Sequence, residues 1–90
     1  MALLDFNGIS HCEAEALKGE PNALYTLGLA YCTGQGVAID LVAAHKWFNL
    51  AAMQGNREAR DMRGEISQEM NAIQIAEAQR QAREWLASRH

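Results

Sequence analysis

Apolar residues recur along this chain at helical spacing, in blocks divided by glycines and by residues that cap helices. Ser10 is placed to cap a first helix running to about Lys18, with Ala14, Ala16 and Leu17 apolar and Gly19 as its stop. A second helix opens with Glu20 at the cap and Pro21 at the first turn, where a missing N–H costs nothing. Ala23, Leu24, Leu27, Ala30 and Tyr31 form its apolar face, and Thr33 ends it. The stretch Gly34-Gln35-Gly36-Val37 reads as a tight connection, because glycine tolerates the left-handed conformation such turns require. The two helices it joins are therefore expected to pack antiparallel. Asp40 caps a third helix carrying Leu41, Ala44, Trp47, Phe48, Ala51 and Ala52, and Gly55 stops it. Asn56 caps a fourth, with Ala59, Met62, Ile66 and Met70 on one side and Arg57, Arg60, Asp61, Arg63 and Gln68 turned elsewhere. Asn71 followed by Gln74 is a weakened capping box, opening a last helix with Ile75, Ala78, Ala82 and Trp85 on its apolar side.

These blocks repeat at a period of about 36 residues, typical of helical solenoids. Gly19-Glu20-Pro21-Asn22-Ala23 and Gly28 align with Gly55-Asn56-Arg57-Glu58-Ala59 and Gly64 at one offset. Ala44, Trp47 and Phe48 correspond to Ala82, Trp85 and Leu86 across a slightly longer connection, and Ala14 to Gly19 resembles Leu50 to Gly55. Residues 1–90 are thus read as a single domain: a half repeat over 9–19, a full repeat over 20–55 and a degenerate terminal repeat over 56–90. Greater charge in the last copy suits an outer cap.

The run containing Ala23, Leu27, Gly28, Tyr31, Gly34, Gly36, Val37, Asp40, Ala44, Trp47, Phe48, Ala51, Ala52, Gly55, Asn56 and Ala59 resembles a Sel-one-like repeat, a relative of the tetratricopeptide repeat. The resemblance implies an all-α, right-handed α-α superhelix of antiparallel helix pairs, here about two repeats with a capping C-terminal helix. It also implies a protein–protein interaction module or adaptor, a role this family often takes in bacterial signalling. The small residues of the run let helix axes approach, while Leu27, Tyr31, Trp47 and Phe48 fill the layer between them.

Composition narrows the partners. With 49% hydrophobic and 21% charged residues in 90, the chain is an ordinary globular domain that needs nearly all its apolar side chains for its core. Eight Lys and Arg against eleven Asp and Glu, a net charge of -3, argue against nucleic acid. No apolar stretch approaches a membrane span, and Met1 to Asp5 lacks a basic leader, so a cytoplasmic location is expected. Two cysteines, Cys12 and Cys32, imply no disulfide framework.

In tetratricopeptide-like solenoids the first helix of each pair lines the concave face. By the Leu-Gly register this gives Asn22, Tyr25, Leu29, Cys32 and Thr33 from one copy, and Glu58, Asp61, Glu65, Gln68 and Glu69 from the other. An apolar strip, Tyr25 and Leu29, then lies beside four carboxylates, a surface suited to another protein or peptide presenting an apolar residue next to Lys or Arg. The alternative is self-association as a homodimer, for which Leu3, Leu4 and Phe6 offer a strip that the sequence reads equally as an N-terminal plug folded back on the stack. Enzymatic readings are weaker still. Cys32 and His45 flank the turn as a nucleophile and base, but His45 is read on the polar side of its helix beside Lys46. His11 and Cys12 point apart, no metal-ligand spacing occurs, and no serine is followed by lysine at acyl-enzyme spacing, so neither catalytic residues nor cofactors are expected.

Overall fold

The computed structural model describes residues 13–16 and 18–88, and those residues are all-α. The expected cap at Ser10, the strip Leu3, Leu4 and Phe6, and the pair His11 and Cys12 lie outside them. After a helical segment at 13–16 come α1 (Pro21–Thr33), α2 (Leu41–Met53), α3 (Arg57–Ser67) and α4 (Ala72–Ala87).

Each boundary has a local cause. The Gly19 N–H bonds to the Ala16 carbonyl and that of Glu20 reaches the Glu15 carbonyl, with Gly19 at φ 77°. The same pair of bonds closes α2, from Gly55 to Ala52 and from Asn56 to Ala51, with Gly55 at φ 96°. Both are Schellman stops, which need a left-handed residue and so favour glycine. The repeat in the sequence is thus a repeated helix ending. Gly34, at φ 78°, ends α1 with its N–H on the Ala30 carbonyl. Asp40 and Asn56 cap α2 and α3 by accepting from Ala43 N–H at 3.1 Å and Ala59 N–H at 2.8 Å. At α4 both bonds of the capping box form, Asn71 accepting from Gln74 N–H at 2.8 Å while its own N–H donates to Gln74 Oε1 at 2.9 Å. Glu20 differs from expectation: its side chain makes no cap bond, and α1 begins on the fixed backbone of Pro21.

α3 ends earlier than its apolar spacing suggested. Gln68 and Glu69 bond back only three residues, to Glu65 and Ile66, which tightens the chain out of the helix. Met70 is still buried, from the turn instead of the helix.

The chain folds around α2, which packs against α1, α3 and α4, whereas α1 touches α3 lightly. Asp40 N–H bonds the Tyr31 carbonyl at one end, Phe48 meets Tyr25 in the middle, and Gln54 shares a cleft with Asn22 at the other, so α1 and α2 run antiparallel. Leu24, Leu27 and Ala30 from α1, Ala44, Phe48 and Ala51 from α2, Ala59 and Ile66 from α3, and Ala78 and Ala82 from α4 form one core. The matched tryptophans of the two copies, Trp47 and Trp85, stand edge to face with ring centroids 5.9 Å apart. This contact ties α4 to α2. On the outer side of α4, Arg80 bridges Glu77 and Glu84, an exposed network that adds solubility more than stability.

The glycines Gly28 and Gly64, equivalent in sequence, are not equivalent in structure. A Cβ on Gly28 would overlap the Phe48 ring, while one on Gly64 would meet no atom within 4 Å. Gly28→Ala should therefore destabilise the chain by about 2 kcal/mol or more through overpacking. Gly64→Ala should stabilise it by about 0.5–1 kcal/mol through helix propensity. Urea unfolding of the two variants checks both signs.

Candidate partner-binding groove

α1 has an unusual composition: from Pro21 to Thr33 it carries no Asp, Glu, Lys, Arg or His. Its inner face is spent on α2, and what remains is apolar or neutral. Tyr25 is half-buried, its ring against Phe48 with centroids 5.8 Å apart and planes at 43°. Leu29 and Cys32 are also half-buried and pack on the edge of the core. The apolar strip is thus partly consumed by the core. Asn22 and Thr33 are exposed at the two ends of the helix, and the Thr33 hydroxyl is already donated to the Leu29 carbonyl at 2.7 Å.

α3 has the opposite character. Ala59, Met62 and Ile66 face the core, which turns Glu58, Asp61 and Glu65 to solvent. Gln68 caps the helix and Glu69 follows in the turn, both exposed. At one end Asn22 and Glu58 line a shared open cleft of about 340 Å³, together with Pro21, Gln54, Gly55, Asn56 and Arg57. At the other end burial, then Glu69 and Glu65, push the Cys32 thiol above its ordinary range. N-terminus therefore lies by N-terminus and C-terminus by C-terminus: α1 and α3 run side by side in the same direction. Between them is a groove with a neutral, partly apolar wall and an acidic wall, interrupted by Arg57 at its first end.

Residues 21–56 match the Sel1 repeat family. The segment is a Sel1 repeat. It starts on the first residue of α1 and closes on the cap of α3, and Sel1 repeats serve protein–protein interaction. No curated protein matches the chain. Asn22, Tyr25, Leu29, Cys32 and Thr33 lie within the Sel1 repeat, whereas Glu58, Asp61, Glu65, Gln68 and Glu69 lie beyond it. One wall of the groove therefore lies inside the matched segment and the other beyond it.

Two placements differ from the sequence reading. His45, expected on a polar side, is only 3% exposed. Its spacing to Leu41, Phe48 and Ala52, four before and three and seven after, puts it on the inner stripe of α2, a signal outweighed by the adjacent Lys46. Arg63, expected to turn away, is half-buried and donates from Nη1 to Asn49 Oδ1 of the Sel1 repeat at 2.6 Å. Lys46 itself lies over the Trp47 ring, 4.2 Å from its centroid, and burial lowers its pKa. His45 and Cys32 answer to different neighbours, Arg63 for the first and the α3 carboxylates for the second. Among the described residues no group of three or more His, Cys, Asp or Glu is placed to hold a metal ion.

The Cys32 environment is directly measurable, since thiolate and not thiol is the nucleophile. In a Cys12→Ser background, iodoacetamide should alkylate Cys32 more slowly than it does a simple thiol at about pH 7.5. Glu65→Gln with Glu69→Gln should speed the reaction. An unchanged rate in the double variant would show that these carboxylates do not act on Cys32.

Proposed function

We propose that the chain is a short right-handed superhelical adaptor in which the Sel1 repeat, preceded by a half repeat and followed by a capping repeat, presents the α1–α3 groove to a partner protein. The groove takes an extended or helical segment that sets an apolar side chain against Tyr25, Leu29 and Cys32 and a Lys or Arg against Asp61, Glu65 and Glu69. The observation that carries this reading is the juxtaposition of a wall with no charged residue and a wall of carboxylates along two parallel helices. A basic and apolar segment satisfies both walls, and an acidic one is repelled by the second. Half-burial of Tyr25 and Leu29 favours this use, because side chains already held by the core lose little freedom on binding. No described helix is long and apolar enough to cross a membrane, and the reading places the chain at work in the cytoplasm.

Selection of peptides from a random library on the immobilised chain tests the proposal. The expected binders combine Leu, Ile or Phe with a nearby Lys or Arg, and their affinity falls as salt rises. Asp61→Lys with Glu65→Lys should weaken them about tenfold, in line with a few tenths to 1 kcal/mol for each rim charge removed and a repulsion added. Binders without basic residues, or affinity and salt dependence unmoved by the reversal, would overturn it.

A further inference from the structure

We propose that His45 makes the joint between α2 and α3 acid-sensitive, so that protonating its ring loosens α3 from α2. The ring is 3% exposed, and its Nδ1 is buried with no hydrogen-bond partner. A neutral imidazole can leave one nitrogen unprotonated, whereas an imidazolium carries N–H on both and would bury a donor with nothing to receive it.

The charges around the ring compound this. Arg63 of α3 acts on it, and that guanidinium is held in place by Asn49, one helical turn beyond His45 on α2. α1 offers no compensating carboxylate, having none. The carboxylates of α3, Glu58, Asp61 and Glu65, lie on its exposed face, and those of α4, Glu77 and Glu84, are engaged by Arg80. On α2 itself Lys46 adds a second positive charge next along the chain, while Asp40 sits at the cap and accepts from Ala43. Burial first, and then Arg63, lower the pKa of His45 from its ordinary 6.5.

The sign follows. A group whose pKa is lower folded than unfolded stabilises the fold fully above the unfolded value, about 6.5, and that contribution is lost as pH falls through the folded value. Because α1 touches α3 only lightly, the α2–α3 joint is what holds α3 in place, whereas α4 packs on α2 through a contact of its own. Acid therefore acts first on the seating of α3 against α2. This response is independent of what the groove holds.

The test uses the full chain with His11→Gln and His90→Gln, leaving His45 as its one histidine. Urea unfolding from about pH 7.5 to about pH 5 should show the unfolding constant rising toward a limit of about tenfold per pH unit over that range. His45→Leu should remove that slope. Amide hydrogen exchange, corrected for its intrinsic pH dependence, should show α3 losing protection before α1 as the pH falls. If His45→Leu does not fold, NMR of the imidazole in the His45 chain decides, with a titration midpoint below 6.5 expected. A midpoint at or above 6.5, a slope kept by the leucine variant, or uniform loss of protection would each overturn the proposal.

Discussion

The contact between the Phe48 ring and the bare backbone of Gly28 is the constraint on which this small structure depends. Phe48 is fully buried, and a ring of that size is accommodated at a helix crossing only where the opposite helix offers no side chain. With α1 and α2 drawn together at that point, Tyr25, one turn earlier on α1, packs its ring against the same ring and Leu24, Leu27 and Leu50 complete the packing. Burial of Phe48 alone contributes on the order of 1.5–3 kcal/mol, a large share of the stability available to a domain of this size. The second copy has Gly64 without an aromatic ring above it, and there the glycine has no packing role.

The groove is a consequence of that arrangement. α2 uses its surface on three helices at once, which leaves α1 and α3 adjacent, parallel and barely touching. What distinguishes this chain from a generic helix pair is that the two neighbours have different chemistry, one uncharged along its whole length and the other turning its carboxylates outward. Burial, and then the carboxylates Glu69 and Glu65, raise the pKa of Cys32, which favours its thiol form. Its place there fits recognition better than nucleophilic chemistry.

Polar side chains between α2 and α3 act differently from the apolar core. Arg63 and Asn49 satisfy one another across α2 and α3, and His45 beside them is left with one nitrogen unsatisfied. An acceptor beside Nδ1 would have received the second N–H of an imidazolium, and an apolar side chain at this position would not titrate at all. A titratable ring with one unpaired nitrogen is the arrangement that couples packing to proton concentration.

Most of the fold was determined by local sequence. Gly19 and Gly55 dictate identical helix stops because left-handed backbone there is cheap for glycine alone, and Asp40, Asn56 and Asn71 dictate helix starts because their side chains reach a backbone N–H three residues on. Those are interactions within one turn of chain, and a linear reading recovers them. The apolar stripes of α1, α2 and α4 follow likewise from a fixed helical period. Only the tertiary structure decided how side chains of mixed character are shared between neighbours. It left His45 Nδ1 without a partner, turned Arg63 toward Asn49, spent half of Tyr25 and Leu29 on the core, released Gln68 and Glu69 from the helix, and distinguished Gly28 from Gly64. Each of these depends on which atoms of a distant segment lie within a few ångströms, and sequence spacing along one helix does not carry that distance.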